Sequence, residues 1–227
     1  AAGPRVIVTQ AVGLGPYQRM FALTSPVIRR WCMLHSYDYL SAVGQFEGSK
    51  EWHSCFNKVF LLQYVRTKML HHYDFFFYLD ADAVILNPSF CIQHILSPHQ
   101  LLAAQVGGDR YKTWQKNDGI ALYNLKHPLM PHLSDTWVQR SLYSMGNNSR
   151  TADQREWYEI LKTYGEEEGW PLRELLPVLP FFASDGSTLH HHLRHQIRMN
   201  MFDWSGDSVK ERASAIREAI SGIQWPR

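Results

Sequence analysis

The sequence predicts an α/β fold: a single domain with a mainly parallel central sheet flanked by helices. Three observations carry this. Short apolar strand-like runs alternate with helical stretches through the first 88 residues, in lengths that suit βαβ units. The chain has 227 residues, 45% hydrophobic and 19% charged, enough to bury a sizeable core. At mid-chain the run Phe75 to Leu79 ends abruptly in two acids one residue apart, Asp80 and Asp82. The carboxyl end of such a strand is where open α/β sheets bind ligands.

The elements follow in order. "RVIVTQ", Arg5 to Gln10, reads as a short buried strand, and "AVGLGP" breaks it. GxG after a first strand hints at a nucleotide-binding turn, although the third glycine of the dinucleotide fingerprint is missing. A helix is expected over roughly Pro26 to Leu34, then a second strand with Tyr37 and Tyr39 on one face. Asn57 to Leu70 is helical, with Val59, Leu62, Val65 and Met69 on an apolar face. After the acidic strand, Leu101 to Val106 is another apolar stretch, and Asp118 to Leu125 reads as a strand. Trp137 to Tyr143 and "TADQREWYEILKTYG" read as helices, the latter capped by Thr151 or Asp153. "LLPVLPFFAS" is extended and marginal to the sheet because of Pro177 and Pro180. In the last helix Ser208 and Glu211 make a capping box, and Val209, Ala213, Ile216, Ile220 and Ile223 form a stripe that clamps the sheet or meets a partner.

Composition excludes several classes. A formal charge of +2 does not suit a nucleic-acid binder. No run approaches the ~20 apolar residues of a membrane span. The three cysteines, Cys32, Cys55 and Cys91, include no CxxC, so a zinc cage is not expected and one bridge is the most they could form. The opening "AAGPRVIVTQ" runs almost directly into a strand, as in a mature or trimmed form.

The acidic pair needs explaining. Held on one side of a strand, two like charges repel strongly in a low dielectric, and burial without compensation is costly. A divalent cation removes that cost. Hard carboxylates suit Mg²⁺ or Mn²⁺, which also hold phosphate oxygens. The bland alternative is a strand that exits into solvent, but "AVILNP" resumes at once and brackets the acids with apolar residues.

Two enzyme groups share the pattern. "LDADAV" fits the apolar-strand-DxDx(T/V) motif of haloacid-dehalogenase-type phosphatases, with Asp80 as nucleophile. Against that reading, about a third of the chain precedes the motif and "GDSVKER" lacks the second acid of the late motif. The segment "KVFLLQYVRTKMLHHYDFFFYLDADAVILNP" resembles the glycosyltransferases of the GT-A fold, whose DxD motif follows a nucleotide-binding half. The named resemblance is to the fungal galactosyl- and mannosyltransferase group that also includes plant xylosyltransferases. Phe75 to Tyr78 stand where that group carries a Trp-containing lead.

The resemblance implies a GT-A-type, Rossmann-like single domain over residues 1–227, with a nucleotide-binding half (1–88) and an acceptor-binding half (89–227). It implies metal-dependent transfer of a sugar from a UDP- or GDP-sugar to a glycan or glycoconjugate, with retention. Asp80 and Asp82 would bind Mn²⁺ or Mg²⁺, with Ala81 near the ribose and a late histidine completing the set, His190 first and His192 second. Thr9, Gln10, Ala11 and Tyr37 would line the nucleotide, with Asp38 an acceptor and Lys58 or Arg66 reaching the phosphates. Asn117, Asp118, Gly119 and Asp185 would meet the sugars, and Asp118, Asp153 and Gln154 the reacting face. Asp153 reads equally well as a helix cap. Golgi or secretory residence follows from the same resemblance, with the cytoplasm the other option. A non-catalytic nucleotide-sugar-binding domain is the remaining alternative.

Overall fold

The computed structural model describes residues 3–93, 95–106, 112–147, 153–177, 189–190 and 206–226. In chain order the elements are β1 (Val6–Val12), α1 (Gln18–His35), β2 (Asp38–Val43), a 3₁₀ helix (Glu51–Phe56), α2 (Asn57–Lys68), β3 (Phe75–Leu79), β4 (Val84–Ile85) and β5 (Leu102–Val106). Then come β6 (Lys116–Asn124), α3 (Met130–Gly146), α4 (Asp153–Glu166), α5 (Leu172–Leu175), β7 (Leu189–His190) and α6 (Gly206–Ser221).

Five strands form the central sheet in the order β2-β1-β3-β6-β5. The α/β class, the central sheet and its flanking helices are as expected. Strand direction is more mixed than "mainly parallel". β2 and β3 run parallel to β1, whereas β6 is antiparallel to both β3 and β5. A short second sheet pairs β4 with β7.

Alternation along the strands builds a core on each face. Ile7, Phe76, Tyr78 and Tyr123 point to the side covered by α2, α3 and α4, where Leu62, Trp137 and Trp157 meet them. Val6, Val8, Phe77, Leu79 and Leu122 point the other way, onto Ile28 and Trp31 of α1. β3 is therefore buried on both sides. Each of its aromatic side chains contributes roughly 1.5–3 kcal/mol of burial, and this fixes where the strand ends.

Three departures from expectation have physical reasons. α1 begins eight residues before Pro26, which lies inside it. An interior proline forfeits one backbone bond and crowds the preceding turn, but Met20, Ile28 and Trp31, each fully buried, hold the helix on both sides of it. α6 does not clamp the sheet. Val209, Ala213 and Ile216 pack on Met20, with Tyr17, Leu23 and Ile220 at the margin, so the stripe covers α1. The Ser208 side chain of the expected capping box lies outside the described residues. All three cysteines are free thiols. At the sheet margin Leu175 and Pro177 accept bonds from Leu101 and Ala104, and the rest of "VLPFFAS" lies outside the described residues.

Because β1 and β3 are parallel and β6 runs back, one edge gathers the ends of β1 and β3, the start of β6 and the start of α2. That edge carries the acids.

Candidate active site

Asp80, Ala81 and Asp82 form a turn beyond β3 rather than a continuation of it. The turn closes with Ala83 N donating to Asp80 O at 2.9 Å, and Asp80 N donates across to Gly119 O of β6 at 2.7 Å. Side chains from below hold its backbone. Gln10 Nε2 donates to Asp80 O (3.2 Å) and to Thr24 Oγ1 (3.2 Å), and Thr24 donates to Ala81 O (2.8 Å). The Tyr39 hydroxyl donates to Gln10 Oε1 at 2.8 Å. Thr9 donates to Phe77 O, and Ala11 is buried in the sheet. Of the expected nucleotide contacts, Gln10 thus braces the acidic turn from within, and Thr9 braces β3 before it.

The turn separates the two carboxylates, which the sequence placed on one side of a strand. Asp80 turns toward Lys58 and Asp82 toward Arg212 of α6. The Lys58 ammonium stands 2.7 Å from Asp153 Oδ2, 3.2 Å from Asp80 Oδ1 and 3.3 Å from Asp118 Oδ1. One cation thus answers three carboxylates, from the ends of β3, β6 and α4. Its other side faces the Tyr78 ring, 5.1 Å to the centroid. Gln154 ties α4 to β6: its Nε2 donates to Lys116 O (2.7 Å) and its Oε1 accepts from Asp118 N (3.1 Å). Asn117 Oδ1 accepts from Gly119 N at 2.9 Å and shapes the same strand start.

Burial sets the electrostatics. It pushes the Asp118 carboxyl well above the usual carboxylate range, with Asp153 adding to the effect and Lys58 opposing it. Burial pulls on the Lys58 ammonium in the opposite sense, but Asp118, Asp153 and Asp80 together outweigh it, so Lys58 stays charged beyond the ordinary lysine range. Tyr17 is pushed up to about 12 by burial, then by Asp82. Among the described residues, the carboxylates of Asp80, Asp82, Asp118 and Asp153 meet the cations of Lys58 and Arg212 here. Asp118 Oδ2 is buried with no hydrogen-bond partner among the described residues. Among the carboxylates of the Lys58 cluster, Asp80 is the most accessible at 27%, against 11% for Asp153 and 4% for Asp118.

Other expected residues lie elsewhere. Tyr37 is built into the α1-side core, its ring 5.1 Å from that of Trp31 and its hydroxyl accepting from Ile92 N. Asp38 accepts from Tyr73, and Arg66 pairs with Asp135. β7 sets His190 opposite Val84, two residues past Asp82 in sequence, although its side chain lies outside the described residues. Asp185, His191, His192 and His195 lie outside them altogether. Among the described residues no group of three or more His, Cys, Asp or Glu is arranged to hold a metal ion.

Arg212, Tyr17 and Thr24 were not anticipated. Arg212 had one faint signal: it follows Val209 by three residues and so borders an apolar helical stripe, an odd place for a charge with nothing to meet.

Residues 28–142 match the galactosyl transferase GMA12/MNN10 family. The chain belongs to this family. The match runs from within α1 to within α3 and includes the acidic turn, so the chain is a glycosyltransferase and the phosphatase reading is not favoured. A glycosyltransferase involved in the glycosylation of the major capsid of PBCV-1 shares the fold, with a TM-score of 0.62 and 14% identity over 95% of this chain and 100% of that one. The glycosyltransferase GlyE of Streptococcus pneumoniae TIGR4 superposes with a TM-score of 0.52 and 13% identity, over 99% of this chain and 65% of that one. No curated protein matches the chain in sequence.

Proposed function

We propose that this family member is a metal-dependent enzyme that transfers a sugar from a UDP- or GDP-sugar to a hydroxyl of a glycan or glycoconjugate, with retention. The carrying observation is the meeting of Asp80, Asp118 and Asp153 around Lys58, beside Asp82 and Arg212, at one edge of the sheet. In this reading residues 1–88 hold the nucleotide and 89–227 the acceptor.

A divalent cation fits the donor set. Carboxylate oxygens are hard ligands that suit Mg²⁺ or Mn²⁺, and Asp80 is the most accessible carboxylate of the Lys58 cluster. Asp80 and Asp82 would hold it, with His190 as a further ligand, and it would supply charge neutralisation of the departing diphosphate. Arg212 is placed beside Asp82 to meet phosphate oxygens with its planar fork. Lys58 is a positioning residue, holding Asp80, Asp118 and Asp153 in register. Asp153 and Gln154, at the first turn of α4, would orient the donor sugar, with Asn117, Asp118 and Gly119 toward the acceptor. With retention, the bond from the anomeric carbon to the phosphate oxygen breaks and its electron pair stays on the diphosphate. The acceptor oxygen bonds to that carbon on the same face, and its proton passes to the leaving phosphate.

The test is turnover with UDP-glucose, UDP-galactose, UDP-xylose and GDP-mannose in Mn²⁺, reading release of UDP or GDP. Release from at least one donor, lost in the Asp80→Asn, Asp82→Asn double variant, is expected. Equal release by that variant would refute the assignment, and release from none with nucleotide still bound would favour a non-catalytic binding domain. A secretory-pathway location is proposed from the family. No helix among the described residues is long and apolar enough to cross a membrane.

A further inference from the structure

Next to the start of β6 and the end of α4 is a cavity of about 320 Å³ that shares no lining residue with the carboxylate cluster. That volume is at the small end of the ~300–1,000 Å³ typical of small-molecule sites. Trp114 and Trp170 contribute to its walls, with Glu166, Arg173 and Glu174 around them.

The cavity is built by the chain folding back on α4. Leu172 packs against Gly165 so closely that a Cβ there would lie 2.5 Å from Leu172 Cδ1. The reversal uses Gly169 at φ +71, a left-handed conformation that glycine adopts without strain. Trp170 N then donates to Tyr164 O at 2.9 Å, and its ring stacks on Tyr164 with centroids 4.0 Å apart. The indole is therefore fixed against the core and half-buried. A rigid indole offers a π face to polarised C–H groups, and carboxylates and a guanidinium offer hydrogen bonds to hydroxyls. That combination suits a neutral pyranose. With Lys162 Nζ 3.8 Å from Glu166, the rim's acids and bases balance and leave no cationic excess to favour phosphate, and the charged rim disfavours a purely apolar ligand.

The place along the chain fits an acceptor. Trp114 precedes Asp118 by four residues, at most roughly 14 Å of chain. Glu166 is thirteen residues along α4 from Asp153, roughly 20 Å. Along α4 the cavity is thus displaced from Asp153 by more than the length of one sugar, while its Trp114 wall keeps it within reach of a later unit of the same glycan. We infer that the Trp114–Trp170 cavity is a subsite for a neutral hexopyranose or pentopyranose unit of an oligosaccharide acceptor, away from the point of transfer. This rests on the transferase reading for its role, but not for its binding chemistry.

The experiment titrates the full chain, without nucleotide, with cellotriose, maltotriose, mannotriose and xylotriose, following tryptophan fluorescence and saturation-transfer NMR. At least one trisaccharide should bind. Trp170→Ala should abolish binding and Trp170→Phe should restore part of it. The exposed pair Arg173→Ala with Glu174→Ala, which leaves the core untouched, should weaken binding by roughly tenfold. All three variants should keep the nucleotide affinity of the parent chain. Absence of binding by every trisaccharide would overturn the inference, as would undiminished binding in both the Trp170→Ala and Arg173/Glu174 variants. If trisaccharides bind as expected while no nucleotide binds in Mn²⁺, the subsite stands and the donor assignment fails.

Discussion

Lys58 is the residue on which the site's electrostatics turn. Its ammonium is buried and has three carboxylates within 3.3 Å, which matches the number of its hydrogens. Lys58→Met removes the cation and leaves the acids facing one another. A loss of about 3–5 kcal/mol is expected, as when one member of a buried ion pair is deleted. It would appear as a lower urea midpoint at unchanged slope; a midpoint within error of the parent would show that solvent already screens the cluster. Asp118 gives a pH signature. Its folded pKa is raised above the unfolded value of about 4, so the folded chain holds this proton more tightly. The stability this contributes is complete below about pH 4 and is lost as pH climbs toward the folded pKa. Asp118→Asn lacks the titration and should therefore gain stability relative to the parent as pH rises from about 4 to neutral. Denaturant midpoints of both proteins across that range check it, and a constant difference between them would contradict it. The sequence made both residues visible as candidates but not their relation. Lys58 reads as a phosphate contact, whereas its role as shared counter-ion depends on strand ends brought together by the sheet.

At the level of elements, the loop after β1 is fitted to the 3₁₀ helix before α2. A Cβ on Gly13 would lie 2.2 Å from Ser54 Oγ and 2.3 Å from Ser54 Cβ. Gly13→Ala should therefore cost about 1–3 kcal/mol through overpacking. Combining it with Ser54→Gly should recover most of that in thermal denaturation, and an unimproved double variant would place the strain elsewhere. The glycines here read in sequence as a weak nucleotide-binding turn, and the structure gives Gly13 a packing reason as well. The body of β3 was legible because a five-residue apolar run lies between "YD" and "DAD", but the turn that takes Asp80 and Asp82 off the strand was not. The start of α1 was not, because Pro26 looks like a first-turn residue and only tertiary packing of Met20 and Trp31 overrides that signal. The same holds for Arg212 and Asp82, 130 positions apart: no local pattern links them, and α6 must first settle on α1.

The whole molecule shows how the fold serves the acids. Burial on both faces fixes β3, and Gln10, Thr24 and Tyr39 fix the turn beyond it. The α/β class and the family segment were readable because apolar periodicity and a charged interruption are local properties. The reversal at β6 was not, since hydrophobic pattern carries no strand direction. That reversal is nonetheless what brings Asp118 beside Asp80. The central claim is that this edge holds a divalent cation and a nucleoside diphosphate on Asp80 and Asp82. Calorimetric titration of UDP and GDP, with and without Mn²⁺, tests it most directly, using the parent chain and the Asp80→Asn, Asp82→Asn double variant. Binding of at least one nucleotide that requires Mn²⁺ and disappears in the double variant is the expected result. Nucleotide affinity that is independent of Mn²⁺, or unchanged by the double substitution, would contradict it.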